Sequence, residues 1–344
     1  CRVTRDSAWR TTSRSGVPLL LRHLSLVRLD PPDHTRIRNH LLGMFGPKAV
    51  QDLRGRIEEL ARGFLEPHVK RGEMELFADY AYPLALGVIA ELFGIPESDF
   101  PLFRETVRGV SERFGVNQIR SPDARRRGDE GEAALVEYIE RLVAQRRAEP
   151  GRDLLTQLVT ATDGDLSHDE LVANCTFLIG AGHETTAKLI CNAVVGLLQD
   201  ARLSGRLGEL APLSRHAVDE LCRWDPTVQI VPRCLGSDLE LDGTRIGAGQ
   251  IVLGFLGAAN HDGRWFGNPD VLDLDRSNNA HLTFGAGIHG CLGAALGRAE
   301  VEIGLNVLLE RLPDLRLGRQ GLGYGENLTL RGPRQVPLRW SAGA

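Results

Sequence analysis

The sequence predicts a mainly α-helical protein with a small β part, and three observations carry that prediction. Apolar positions recur at three and four residues through long segments between residues 34 and 198. After Trp224 this period gives way to short runs broken by turn residues, as in Leu241-Asp242-Gly243-Thr244. A glycine-rich stretch at 284–293 then opens onto a last apolar run, Leu292 to Leu312. With 344 residues and 42% hydrophobic content, the chain can bury a core large enough for one large domain or two.

Composition excludes several function classes. A net charge of −4, with charged residues at 25% and mixed in sign, argues against a nucleic-acid binder. The most apolar stretch, Pro83 to Ile95, is short for a membrane span and is interrupted by Glu91, so no membrane anchor is expected. The cysteines at 1, 175, 191, 222, 234 and 291 form no CxxC and no short-spaced framework. With no signal-peptide pattern at the start, this implies a reducing, cytoplasmic setting with structural thiols and one candidate ligand.

In chain order, residues 1–30 are rich in Ser, Thr and Arg around an apolar patch at Val17 to Leu21, and little regular structure is expected there. Asp30-Pro31-Pro32-Asp33 reads as a turn with Asp33 as N-cap of a helix from His34 to about Phe45. On that helix His34 and Arg38 are four apart and share a face, either a solvated edge or an anion clamp near the N-terminus. Arg36 reads as surface. Further helices are expected at Pro47 to Lys70, Leu76 to Phe93, Ser98 to Phe114 and Gly131 to Arg147, with Gly115 to Gly128 as a charged, mobile loop.

The longest helical pattern runs from Ser167 to Leu198 and starts on a capping box, Ser167 with Glu170. Its centre, Ala181-Gly182-His183-Glu184-Thr185-Thr186, sets a carboxylate and two hydroxyls among apolar residues. Glu184 therefore needs hydration or a partner. Thr185, beside Gly182, can bond back to a carbonyl and open the helix locally. Glu220 and Arg223 stand three apart on one helical face, which by itself is worth only about 0.2 to 0.5 kcal/mol. Residues 239–246 read as a hairpin on an Asp-Gly turn and Gly249 to Leu253 as a further strand, with Arg233 just before them and turns and edge strands in the last thirty residues.

The loop Phe284-Gly285-Ala286-Gly287-Ile288-His289-Gly290-Cys291-Leu292-Gly293 allows three readings. Gly285 to Gly290 fits GxGxxG, but the residues before it are not a buried strand, and the dinucleotide reading fails on that context. A buried structural cysteine in a Gly-rich turn is the second reading. The third is a metal thiolate, since a cysteine where a loop meets a helix sits among backbone N–H groups that stabilise the anion.

The pattern FGxGxHxCxG, present in full, resembles the haem-binding signature of the cytochrome P450 family. The resemblance extends through Asp30 to Arg38, the AGHETT stretch, Glu220-Leu221-Cys222-Arg223, and Leu272 to Arg276. Ala259-Asn260-His261-Asp262-Gly263 follows the family's Asn-Arg-Asp-Pro stretch with two replacements. It implies a P450 fold, haem between a long central helix and the Cys loop, and a single domain over 1–344 that lacks the family's N-terminal part. It also implies haem b (iron protoporphyrin IX) with Cys291 as axial ligand. His34, Arg38, Arg233 and His289 would hold the propionates, and Phe284, Gly285 and Ala181 would line the cofactor.

On the same resemblance Thr185 would steady the reacting oxygen and Glu184 relay protons, while Arg276 joins Glu220 and Arg223 in a brace for the thiolate loop. The implied activity is insertion of one oxygen atom from O2 into a small hydrophobic or aromatic molecule of bacterial secondary metabolism. The alternatives are aryl coupling, peroxygenase or dehydration chemistry, a non-catalytic haem binder, or an inactive fragment. A ferredoxin or flavodoxin with its reductase would supply electrons, with Arg298 among the docking cations. Residues 115–128 resemble the family's lid, and Leu19 to Leu26, Phe177, Ala181, Ile230 and Leu330 are expected to wall the pocket.

Overall fold

The computed structural model describes residues 24–110, 122–161, 165–312, 314–325 and 327–341. The patch Val17 to Leu21, Cys1, residues 19–23 of the expected pocket wall and residues 115–121 of the expected lid lie outside them. In chain order the main helices are α1 (Asp33–Leu42), α2 (Pro47–Val69), α3 (Tyr82–Phe93), α4 (Phe100–Val110), α5 (Pro122–Ala148), α6 (Leu154–Ala161), α7 (His168–Gln199), α8 (Arg215–Trp224) and α9 (Ala294–Arg311). The strands are β1 (Glu73–Glu75), β2 (Ile230–Cys234), β3 (Leu239–Leu241), β4 (Thr244–Ile246), β5 (Ile251–Phe255), β6 (Arg316–Leu317), β7 (Gly323–Tyr324), β8 (Pro333–Gln335) and β9 (Pro337–Arg339).

Contacts sort the chain into two units, and α7 contributes to both. The first comprises Cys1–Met44, Glu91–Ala181 and Ile230–Phe255. Its core includes Phe103 and Tyr138, whose rings stand 5.9 Å apart where α4 meets α5, and the Tyr138 hydroxyl donates to Asp99 at 3.0 Å. The start of α7 is fixed by the capping box: Glu170 N–H donates to Ser167 Oγ at 3.2 Å and Ser167 N–H to Glu170 Oε2 at 2.9 Å. Antiparallel β2 and β5 pair from Ile230 against Phe255 to Cys234 against Ile251. The β3–β4 hairpin turns on Asp242 and Gly243 with φ of 46° and 75°, the left-handed pair that a two-residue turn matching strand twist requires.

The second unit comprises Phe45–Ala90, Gly182–Gln229 and Leu256–Ala344. Pro47 sits in the first turn of α2, where a missing N–H costs nothing. From there Val50, Ile57, Ala61 and Leu65 form its buried stripe. On α9, Val301, Leu305 and Leu308 are fully buried, and the Tyr80 hydroxyl donates to the Gly304 carbonyl at 2.8 Å. A three-stranded sheet, β1-β9-β6, and the β7–β8 pair complete this unit.

Several boundaries depart from expectation. The stretch Leu76 to Phe93 begins as a π turn, Leu76–Ala81, whose first N–H groups, Phe77 and Ala78, donate to the Glu75 carboxylate at 3.2 and 2.6 Å. It is long and apolar enough to cross a membrane, yet 72% of that window is buried inside the protein. Residues 122–128, expected as loop, are the first turns of α5. Pro122 and Asp123 suit a helix N-terminus, and Arg126 pairs with Glu130 four residues on at 3.1 Å. Helix α1 starts at Asp33, so Asp33 lies in the first turn and not at the cap. The strand expected at 249–253 forms two residues later, and α7 runs unbroken from His168 to Gln199.

Candidate active site

The Cys loop is shaped by its own backbone. Gly285 and Gly287 take φ of 69° and 72°, which residues with a Cβ rarely adopt. Gly285 N–H donates to Leu282 O at 2.8 Å, Gly290 N–H to Gly287 O at 3.0 Å and Cys291 N–H to Phe284 O at 2.7 Å. These bonds fold residues 282–291 into a tight double turn that presents Cys291 at the surface, just before α9. His289 is half-buried in a single 3-10 turn, Gly287–His289.

Cys291 differs from the chain's other described thiols. Cys175, Cys191 and Cys222 are fully buried, and burial pushes Cys175 and Cys222 up to about 12. None of the cysteines from 175 to 291 is in a disulfide. The exposed thiol and its glycine loop suit a flat cofactor: a Cβ added at Gly287 or Gly293 would meet nothing within 4 Å. Among the described residues no group of three or more His, Cys, Asp or Glu side chains gathers to hold an ion. An iron ligated by Cys291 would therefore bring its remaining ligands with it, as a haem iron does. The donor set fits.

Behind the loop lies a buried polar network. Glu220 on α8 accepts from Arg223 Nε and Nη2 at 2.7 and 2.9 Å, from Arg276 Nε at 3.0 Å, from Asn279 Nδ2 at 3.0 Å and from the Asp273 N–H at 2.9 Å. The Glu220 and Arg223 side chains have no exposure at all, and Arg276 has 9%. Burial alone would raise the Glu220 carboxyl, but the hydrogen bonds from Arg223 and Asp273 outweigh it and hold the pKa below its ordinary value. The arginines' remaining N–H groups close on backbone carbonyls. Arg223 bonds those of Asn260 and Pro269 at 2.7 and 3.0 Å, and Arg276 those of Gly267 and Asn268 at 2.7 and 3.1 Å.

Asn260 connects this network to the loop, a role sequence reading missed. Its Nδ2 donates to the Arg223 carbonyl at 3.2 Å and to Thr283 Oγ1 at 2.9 Å, its Oδ1 accepts from Leu282 N–H at 2.7 Å, and Thr283 in turn donates to the Cys222 carbonyl at 2.8 Å. The signal was present in the stretch 259–263, where Asn260 and Asp262 are the residues that match the family pattern.

A second clamp holds Phe284. Arg298 on α9 lies 4.3 Å from the ring centroid, a cation–π contact, and donates through Nε to Asp219 at 2.6 Å. His281 reaches Asp219 at 3.4 Å. Burial alone would raise Asp219, but hydrogen bonds from His281 and Arg298 prevail and lower it to about 2. Arg298, expected as a docking cation, makes these contacts while 29% of its side chain stays exposed.

On α7, His183 is fully buried and meets the Tyr82 ring edge-on at 5.4 Å. Gly182 is packed so closely that a Cβ there would fall 2.5 Å from Ile89 Cδ1. The Thr186 hydroxyl bonds back to the Gly182 carbonyl at 3.0 Å. The Thr185 carbonyl accepts from Thr227 Oγ1 at 3.0 Å. Glu184 has a partner the sequence reading did not name: Lys188, four residues on, with Nζ 2.6 Å from Oε1.

His34, Arg38, Ala181 and Arg233 belong to the first unit. His34 is buried and Arg38 half-buried on α1, while Ala181 is half-buried on α7. Arg233 is half-buried on β2, and its Nη1 donates to the neighbouring Pro232 carbonyl at 2.8 Å. Arg36, read as surface, bonds Glu170 at 2.6 and 3.3 Å and ties α1 to the start of α7. Of the expected pocket walls, Leu26 and Leu330 are buried, and Phe177, Ala181 and Ile230 are half-buried.

Residues 209–313 match the family profile described as Cytochrome P450. Cytochrome P450 CYP107DY1 of Priestia megaterium is 36% identical over 339 residues, 97% of this chain and 81% of that protein. Mycinamicin IV hydroxylase/epoxidase of Micromonospora griseorubida is 35% identical over 322 residues, 92% of this chain and 79% of that one. The solved polyketide synthase cytochrome P450 PksS of Bacillus subtilis 168 superposes with a TM-score of 0.88 at 32% identity, over 98% of this chain and 86% of its own. With a thiol presented on a braced glycine loop and relatives alike over most of their length, the chain belongs to the cytochrome P450 family and is a haem-dependent monooxygenase.

Proposed function

We propose that the whole chain acts as one catalytic domain, placing one oxygen atom from O2 on a hydrophobic or aromatic intermediate of bacterial secondary metabolism. The observation that carries this is the exposed Cys291 thiol on a loop that Asn260 and Thr283 anchor to the Glu220 network. Haem b would be held with Cys291 as its sulfur ligand, His34, Arg38, Arg233 and His289 would serve its propionates, and Phe284, Gly285 and Ala181 would contribute to its binding. When bound, the haem supplies electron transfer to O2 and, through its thiolate, the electron push that favours O–O cleavage.

The chain's residues do the rest. Releasing the second oxygen as water consumes two electrons and two protons, and the protons must cross a protein interior. Thr185 offers a hydroxyl that both donates and accepts on the central helix. Glu184 is the nearest titratable group in sequence and acts as the proton donor behind it, in the manner of a general acid. The Glu220, Arg223, Arg276 and Asn260 network keeps the loop, and hence the sulfur, in place. Electrons arrive from a separate ferredoxin or flavodoxin with its reductase, in the cytoplasm. The polyketide names among the relatives favour a large, mostly apolar substrate.

The test is the absorption spectrum of reduced, CO-treated protein. Wild type is expected to give the thiolate-type Soret shift, and Cys291→Ser to lose it. A C291S variant with the same spectrum and turnover would end this reading. Spin-state titration against macrolide, aromatic and fatty-acid probes then narrows the substrate.

A further inference from the structure

Lys188 is an unusual residue for its place. It is a lysine on the central helix with a side chain only 8% exposed, and lysine is almost never buried unless paired. Its partner is Glu184, at 2.6 Å and itself 16% exposed, in the favourable order of acid four residues before base. The pairing is one-sided. The ammonium engages Oε1, whereas Oε2 is buried and has no hydrogen-bond partner among the described residues. A buried carboxylate oxygen left this way costs free energy comparable to a lost hydrogen bond.

The lysine stem has a seat of its own. At Gly332, on the segment leading into β8, an added Cβ would fall 2.7, 2.8 and 3.0 Å from Lys188 Cβ, Cγ and Cδ. The Cβ contact is fixed by the helix backbone, so it cannot be relieved by turning the lysine side chain. Gly332 has no left-handed φ that would call for glycine. The close approach of Lys188 accounts for its lack of a side chain.

We infer that Lys188, seated against Gly332, is a positioning residue that clamps Glu184 through Oε1 and reserves Oε2 as the oxygen that carries the proton. The clamp restricts the carboxylate's torsions so that Oε2 keeps one direction. It also balances the negative charge that Glu184 bears after giving up its proton. This deepens the proposed role of Glu184 as proton donor and rests on it.

The test compares Lys188→Met, Lys188→Arg, Gly332→Ala and Glu184→Gln in the haem-loaded protein, each first checked for an intact CO-complex spectrum. Product formed per electron consumed, the solvent deuterium isotope effect on turnover, and the carboxylate band in wild-type-minus-E184Q infrared spectra are then measured. K188M is expected to lower product yield several-fold in favour of peroxide, to change the isotope effect and to shift the carboxylate band. K188R should restore most of the yield, and G332A should fall between K188M and wild type with its lysine intact. If E184Q uncouples turnover while K188M and G332A match wild type in yield, isotope effect and band position, the clamp is refuted. If E184Q itself leaves yield and isotope effect unchanged, the proton-donor reading fails instead. Should K188M lose its haem, G332A alone decides, by the same readouts.

Discussion

Two buried ion pairs in the second unit use the same local grammar and end in opposite states. Glu220 with Arg223 and Glu184 with Lys188 each place acid and base on one helical face, three and four residues apart. Around Glu220 both carboxylate oxygens are saturated, and the arginines spend their spare donors on backbone carbonyls. Around Glu184 one oxygen is engaged and the other is buried with no hydrogen-bond partner among the described residues. A saturated network has nothing left to exchange and serves as structure. A half-saturated one keeps one oxygen unengaged, the feature on which the proposed proton clamp rests. The comparison also separates arginine's planar fork, suited to bracing several segments at once, from lysine's single point charge, suited to holding one oxygen.

The contrast can be broken by substitution. The largest effect belongs to Arg223→Ala, which leaves Glu220 as a buried charge short of its main partner. A loss of about 3–5 kcal/mol is expected, visible as a collapse in soluble yield and unfolding midpoint. Asn260→Ala is next: it strips partners from Leu282 N–H and Thr283 while leaving the ion pairs intact, at about 1–3 kcal/mol. Chemical denaturation would measure that loss, and a broadened Soret band in the CO complex would show that the loop, more than the fold, has loosened.

Acid provides a gentler probe. Asp219 falls from 3.8 to about 2 in the folded protein, so the unfolded chain binds its proton first as pH drops. Its contribution is complete above the unfolded value and disappears as pH falls from about 4 towards 2, worth up to about 2 kcal/mol. Arg298→Met is expected to flatten that part of the stability-against-pH curve. At the small end, Arg126→Ala on the exposed start of α5 removes a solvent-screened pair, and its unfolding midpoint should move by less than about 0.5 kcal/mol equivalent.

What could be read from the chain alone was whatever a few neighbouring residues decide. Ser167 with Glu170 starts α7 because both halves of that cap lie within one turn. Asp242 and Gly243 turn a hairpin because their φ angles need no outside help. The cluster at Arg125 to Arg127 misled, since a run of charge reads as loop although Arg126 has a helical partner at Glu130. Arg36 and Glu170 are far apart in sequence, so no spacing rule joins them. Asn260 escaped notice because its importance lies in three contacts on two distant segments, the Arg223 carbonyl on one and Leu282 and Thr283 on the other. Lys188 was within reach: its spacing from Glu184 was readable, but its burial was not.

Between the short helix that ends at Asn260 and the turn that begins at Gly287, the chain forms no regular helix or strand. By ordinary rules such a stretch would be the first place to shorten, graft or splice. Here its carbonyls at Gly267, Asn268, Pro269 and Val271 are the sockets into which Arg223 and Arg276 plug. Deleting even one residue would put those sockets out of register, so engineered insertions and trimmed variants of this enzyme belong elsewhere, for example at the exposed hairpin tip of Asp242 and Gly243.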